Sequence, residues 1–212
     1  MKLTIIGATG GIGRQLVTQS LAAGHDVTAV ARNPRDLPAG AHTATVDFTD
    51  PDPGALAAAV KDTDGVLSTL GPRRPRAEAG IASRGTRALI AAMAATGVRR
   101  IVVVSAAPVG PVPDPGDGFL MRHLGSPLAR ALLRAHYDDL ALMEQLLRDS
   151  GLDWTVSRPP RLTNGPLTGR YRTAFGRNIR GGVVISRADV AHQMLAALVE
   201  PETIGQIVGI AR

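Results

Sequence analysis

The stretch GATGGIG (7–13) places Gly7, Gly10 and Gly13 three residues apart, between an apolar run and a helical pattern. Glycines there permit a tight turn and close approach of the backbone to a ligand. They also leave the first amides of the following helix available to a pyrophosphate. The pattern follows KLTII and opens a helix in which Ile12, Leu16 and Val17 face inward, the context a dinucleotide-binding turn requires. Thr9, Gly11 and Ile12 complete the expected cradle. The second strand selects the dinucleotide: an acidic residue at its end would hold a ribose 2′-hydroxyl. Here VTAVA ends in Arg32, 19 residues after Gly13, and a cation suits a 2′-phosphate. NADP(H) is therefore the expected cofactor. Asp47 and Phe48, ending the third strand, are expected to flank the adenine, although Asp47 equally suits a helix start before TDPDPGAL. Leu70 and Gly71, ending the fourth, would let the backbone approach the ribose.

Other chemistries find less support. Ser105 ends VVVS and is followed by Ala106, with no G-x-S-x-G elbow to make it a nucleophile. At the carboxyl end of a strand it can instead form a hydrogen bond to a ligand. A Tyr-x-x-x-Lys acid–base pair is absent, since Tyr137 is followed four residues on by Ala141 and Tyr171 by Phe175. The five histidines are scattered, without an H-x-x-x-H pair and with no cysteine to assist, so no metal site is expected. One further stretch stands out. RPPRLTNGPLTGRY (158–171) is a rigid, basic loop with adjacent prolines at Pro159 and Pro160, then Arg161, and it is followed directly by Arg172.

Alternating strands and helices must position these residues. KLTII (2–6), DVTAVA (26–31), HTATV (42–46), GVLSTL (65–70), RIVVVS (100–105) and DWTVS (153–157) read as strands. Between them lie the helical patterns GIGRQLVTQSLAAG, PGALAAAVKD, RGTRALIAAMAATG and HYDDLALMEQLLRDSG. Gly24, Gly97 and Gly151 stand where left-handed C-caps are wanted. Such alternation predicts an α/β fold: one doubly wound parallel sheet over residues 1–212, a Rossmann domain. Beyond residue 158 the pattern loosens. GGVVIS (181–186) predicts a short strand, RADVAHQMLAALVE (187–200) a helix capped by Ser186 or Asp189, and IGQIVGI (204–210) a last strand. Residues 159–186 are expected to form a small substrate-side region. PVGPVPDPGDG (108–118) reads as a long loop.

Composition narrows the classes. With 212 residues, 44% of them apolar, the chain can bury a sizeable core. The net charge of +6 raises the question of nucleic acid, but the basic residues are spread along the chain and aromatic residues make up only 3%. Lys2 and Lys61 are the only lysines among 24 basic residues, so the excess is a preference for arginine. No nucleic-acid or membrane partner is expected. With no cysteine and no cleavage pattern after MKLTIIGATG, a cytoplasmic protein is expected, as a monomer or homodimer.

Taken together, GATGGIG, GHDVTAVARNP, VDFTDP, SGLDWTVSRPP, PLTGRY and ISRADVAHQML resemble the atypical short-chain dehydrogenase/reductase family. The resemblance covers nearly the whole chain and is nearest to the NmrA-like branch and biliverdin reductase B, a flavin reductase. It implies an NADPH-dependent reductase of flavins or related planar acceptors such as biliverdins and quinones. Thr9 and Arg32 match the family's 2′-phosphate contacts. Ser105 matches its active-site serine, and residues 159–162 its loop beside the nicotinamide. Arg161 stands where the biliverdin reductases carry histidine. Arginine cannot donate a proton near neutral pH, so it is expected to anchor an anion and not to act as an acid. Some NmrA-like proteins bind NADP(H) without catalysis, as sensors, and the missing Tyr–Lys pair suits that alternative as well.

Overall fold

The computed structural model describes residues 1–72, 78–109 and 134–212. Its main sheet has eight strands in the order β3-β2-β1-β4-β5-β6-β10-β8. These are β1 (Lys2–Ile6), β2 (Asp26–Ala31), β3 (His42–Thr45), β4 (Gly65–Ser68), β5 (Arg100–Val104), β6 (Asp153–Arg158), β8 (Arg172–Phe175) and β10 (Gln206–Ala211). All neighbours pair in parallel except β8, which runs antiparallel to β10 at the edge. Two shorter strands, β7 (Arg161–Thr163) and β9 (Val184–Ser186), pair in parallel as a separate ribbon. This is the doubly wound α/β sheet of a Rossmann fold.

Near-continuous apolar strands suit a sheet covered on both faces. Alternate residues part accordingly. Ile101 and Val103 of β5 join one core cluster, while Val102 and Val104 join the other. Helices α2 (Pro53–Val60), α3 (Ile81–Thr96) and α4 (Arg134–Arg148) cover the first face. Helices α1 (Gly11–Ala22) and α5 (Arg187–Val199) pack together over the second.

The helix boundaries show where local pattern and fold agree. Gly97 caps α3 with φ +75°, and Gly24 and Gly151 also take left-handed conformations beyond the ends of α1 and α4. The expected start of α3 at Arg84 moves back to Ile81. Its cap comes from another helix: the Asp139 carboxylate of α4 accepts the amides of Ala82 and Ser83, each at 3.0 Å. A cap 56 residues away leaves no mark in the local sequence.

The region 159–186, expected as loop with one strand, also contains β7 and β8. Its strand β9 is shorter than GGVVIS. Asp52, not Asp47, caps the helix in TDPDPGAL, accepting the Ala55 amide at 2.9 Å. Ser186 caps α5 by accepting the Asp189 amide at 2.9 Å. Of the Pro-rich stretch 108–118, residues 110–118 lie outside the described residues.

Several arginines act inside the fold. Arg100 is mostly withdrawn from water and donates to the Asp153 carbonyl (2.7 Å), Thr155 Oγ1 (2.9 Å) and the Ala197 carbonyl near the end of α5. Among the described residues, no helix is long and apolar enough to cross a membrane.

Candidate functional site: a cleft over the glycine turn

The sheet order reverses between β1 and β4, and outside the carboxyl ends of these strands lies a cleft of about 810 Å³. Open α/β sheets bind ligands at this switch point. The glycine turn forms its floor. Gly7 has φ +74°, and the Gly10 amide donates back to the Gly7 carbonyl at 2.8 Å. Gly13 allows the closest approach: a Cβ there would lie 2.2 Å from the Gly7 carbonyl oxygen. Gly10 is the N-cap of α1 and supplies no side chain to the first-turn amides. Those amides have no intrahelical acceptor and face the cleft, a ready anion site.

Thr9, Gly11 and Ile12 join Gly7 and Gly10 in the lining, while Gly13 lies beneath. Thr69 was not singled out in the sequence. It fixes the turn from the side, its hydroxyl 3.1 Å from the Ile6 carbonyl and 3.3 Å from that of Gly7.

Arg32 lines the cleft at the end of β2, half exposed, with one guanidinium nitrogen 3.1 Å from the Glu78 carboxylate. Asp47 and Phe48 form the adjoining wall. The Asp47 carboxylate accepts the Thr49 amide (3.0 Å) and hydroxyl (2.8 Å), and these bonds hold its pKa below the usual range. Phe48 is buried beside Leu70. Gly85 of α3 gives both room, since a Cβ there would fall 2.3 Å from Leu70 Cδ1 and 3.1 Å from Phe48 Cδ1. Leu70 and Gly71 line the cleft as well.

At the next strand the arrangement changes. Ser105 is buried and its hydroxyl donates to Glu144 of α4 at 2.7 Å. The same carboxylate accepts the Arg158 guanidinium, from Nε at 2.9 Å and from a second nitrogen. Arg148 adds a more distant charge at 3.6 Å. Ser105 thus has its proton committed and its lone pairs left to offer. Ala106 packs against the core, and the Pro159 carbonyl accepts the Ala107 amide at 2.9 Å, so the proline pair is joined to the turn after β5. None of Ser105, Ala106, Pro159 and Pro160 lines the cleft over the glycine turn.

The basic loop divides in the same way. Arg161 begins β7 and is exposed, whereas its neighbour Leu162 reaches the cleft wall. Arg172 donates to the carbonyls of Arg180 (3.1 Å) and Arg212 (3.0 Å). PLTG is held by one carboxylate: Asp189 of α5 accepts the amides of Thr168 (2.8 Å) and Gly169 (2.9 Å) and the Thr168 hydroxyl (2.9 Å). Burial pushes the Asp189 carboxyl up, but these bonds and one from Ser186 outweigh it and hold it below the ordinary value. Tyr171 meets His192 Nδ1 at 2.7 Å. Burial, with Asp189 and Glu200 nearby, pushes its phenol up to about 12, so it stays protonated at neutral pH.

The residues therefore fit a dinucleotide. The floor is one a Cβ would fill, the helix N-terminus above it is uncapped, and a cation stands at the end of β2.

Comparison with known proteins agrees with this geometry. Residues 7–201 match the family described as NAD(P)H-binding. The chain is 30% identical over 210 residues to an uncharacterized sugar epimerase, YhfK of Bacillus subtilis, covering 96% of this chain and 90% of that protein. It is 32% identical over 185 residues to a 3-diazoavenalumate denitrifying reductase of a Streptomyces species, covering 81% of this chain and 59% of the relative. Among solved structures, a protein of Burkholderia pseudomallei described as exported superposes with a TM-score of 0.80 at 33% identity, both chains covered in full. A Streptococcus pneumoniae protein named an NADH-flavin reductase shares the fold, with a TM-score of 0.80 at 24% identity over 100% of this chain and 99% of its own. The chain belongs to the NAD(P)H-binding family, with NAD(P)H as its cofactor.

Proposed function

We propose that the protein is an NADPH-dependent reductase that passes hydride to a flavin or a similar conjugated acceptor, such as a biliverdin or quinone. The observation that carries this reading is the state of Ser105. Its proton goes to Glu144, and no lysine-assisted tyrosine stands in for it. A site so built suits an acceptor that needs no acid from the protein. When bound, the reduced nicotinamide supplies a hydride, which a flavin ring takes up together with a proton from water.

The chain's own residues bind and orient. The amides of the first turn of α1 hold the diphosphate, and Arg32 and Thr9 favour a 2′-phosphate. Asp47, Phe48, Leu70 and Gly71 enclose the adenosine end. Ser105 accepts a hydrogen bond from the carboxamide of the nicotinamide or from the acceptor. Pro159 and Pro160 shape the floor beside it, and Arg161 attracts an anionic group of the acceptor from the rim. A reductase name for one relative and a flavin reductase name for one structural neighbour support the class. An epimerase reading, suggested by the name of YhfK, lacks the Tyr–Lys pair that sugar epimerases ordinarily use.

The test is direct. Purified protein with NADPH and riboflavin, FMN or a quinone is expected to oxidise NADPH, followed at 340 nm. Arg161→Ala is expected to raise KM for FMN more than for riboflavin. Tight NADPH binding without oxidation by any flavin or quinone would overturn the reductase and leave a non-catalytic NADP(H) sensor.

A further inference from the structure

The first turn of α5 touches both halves of the site. Arg187 lies across the glycine turn: a Cβ on Gly11 would fall 2.6 Å from its Cδ and 2.6 Å from its Nε. Gly11 is the first residue of α1, where the helix amides face the cleft. From there one guanidinium nitrogen donates to Asn164 Oδ1 in the substrate-side loop at 2.7 Å. Two residues on, Asp189 holds Thr168 and Gly169 of the same loop. The register of α5 on α1 is fixed by Gln19, whose amide donates to the Ala188 carbonyl at 2.9 Å.

We infer that Arg187 is a diphosphate clamp that couples cofactor binding to the order of the loop carrying Asn164. A guanidinium has five N–H groups in a rigid fork, so one can stay on Asn164 while the others meet phosphate oxygens. A diphosphate held on the α1 amides would share the cleft with this guanidinium, and its charge would fix the side chain that holds the loop. The coupling is reciprocal: whatever orders Asn164 strengthens cofactor binding by the same factor. Arg187 and Asn164 are partly or fully exposed, so their replacement leaves the core intact.

This inference rests on the NAD(P)H reading of the cleft, and its test needs no turnover. Binding of NADPH and of adenosine 2′-monophosphate, which lacks the diphosphate, is measured for wild type, R187A, N164A and the double variant. Amide exchange over 162–169 is followed with and without NADPH. R187A is expected to weaken NADPH roughly 10- to 100-fold, the range of charge-assisted hydrogen bonds, with adenosine 2′-monophosphate unchanged. N164A should weaken NADPH by less, and the double variant should bind like R187A. NADPH should slow exchange over 162–169 in wild type and not in R187A. Unchanged NADPH affinity in R187A, an equal loss for both ligands, or full loop protection in R187A would each overturn the proposal. Failure of every acceptor to oxidise NADPH would overturn the reductase alone.

Discussion

An arginine–glutamate pair at the cleft can be set against another beneath the neighbouring strand end. Arg32 is 51% exposed and rests on Glu78, which is 5% exposed. Arg158 and Glu144 are 7% and 1% exposed, and their carboxylate also takes the Ser105 proton. The charges are the same, but exposure separates their work. Water reaches the guanidinium of the first pair, which leaves that end open to an anion from the cleft. The second pair has left water almost altogether, and its desolvation is offset by two guanidinium hydrogen bonds, by the Ser105 hydroxyl and by the more distant charge of Arg148. In the function proposed above, the first exchanges partners with a ligand and the second holds a hydroxyl in one orientation.

The largest expected effect lies at the buried pair. Glu144→Ala leaves the Arg158 guanidinium buried without a counter-charge and should destabilise the fold by about 3–5 kcal/mol. Arg32→Ala should cost only about 1 kcal/mol. Urea denaturation of the two variants measures both, and equal losses would break the contrast. Next comes ligand selection. Arg32→Ala is expected to weaken NADPH about 10- to 100-fold while changing NADH by less than about threefold, because only the former has the 2′-phosphate. A titration in which both cofactors lose equally would remove the phosphate role. The smallest effect belongs to the hydroxyl. Ser105→Ala keeps Arg158 on Glu144, so stability should fall by only about 1 kcal/mol. Turnover with flavin should drop roughly tenfold, as expected for one lost orienting bond. Full turnover in that variant would make Ser105 a structural partner of Glu144 and nothing more.

Much of this was legible in short stretches. The glycine turn, the apolar strands and the cation after β2 follow local rules of backbone conformation and burial, so GATGGIG and VTAVAR point directly to the cleft and its floor. The loop RPPRLTNGPLTGRY was legible only as rigid and basic. The strand β7 within it and the strand β8 just after it were not, because RLT and RTAF are too short to carry a period, and their partners lie in β9 and β10.

Sequence alone determined the α/β class, the nucleotide turn and the absence of a Tyr–Lys acid, because each depends on residues close together in the chain. Only the tertiary structure decided which charges meet. It put Glu144 under Ser105, Asp139 at the start of α3, Leu162 rather than Arg161 on the cleft wall, and Arg187 across Gly11. Those contacts join residues 39 to 176 positions apart, and no local pattern records them. They exist because a doubly wound sheet brings the carboxyl ends of distant strands to one edge, where the charges that cannot be left unpaired find each other.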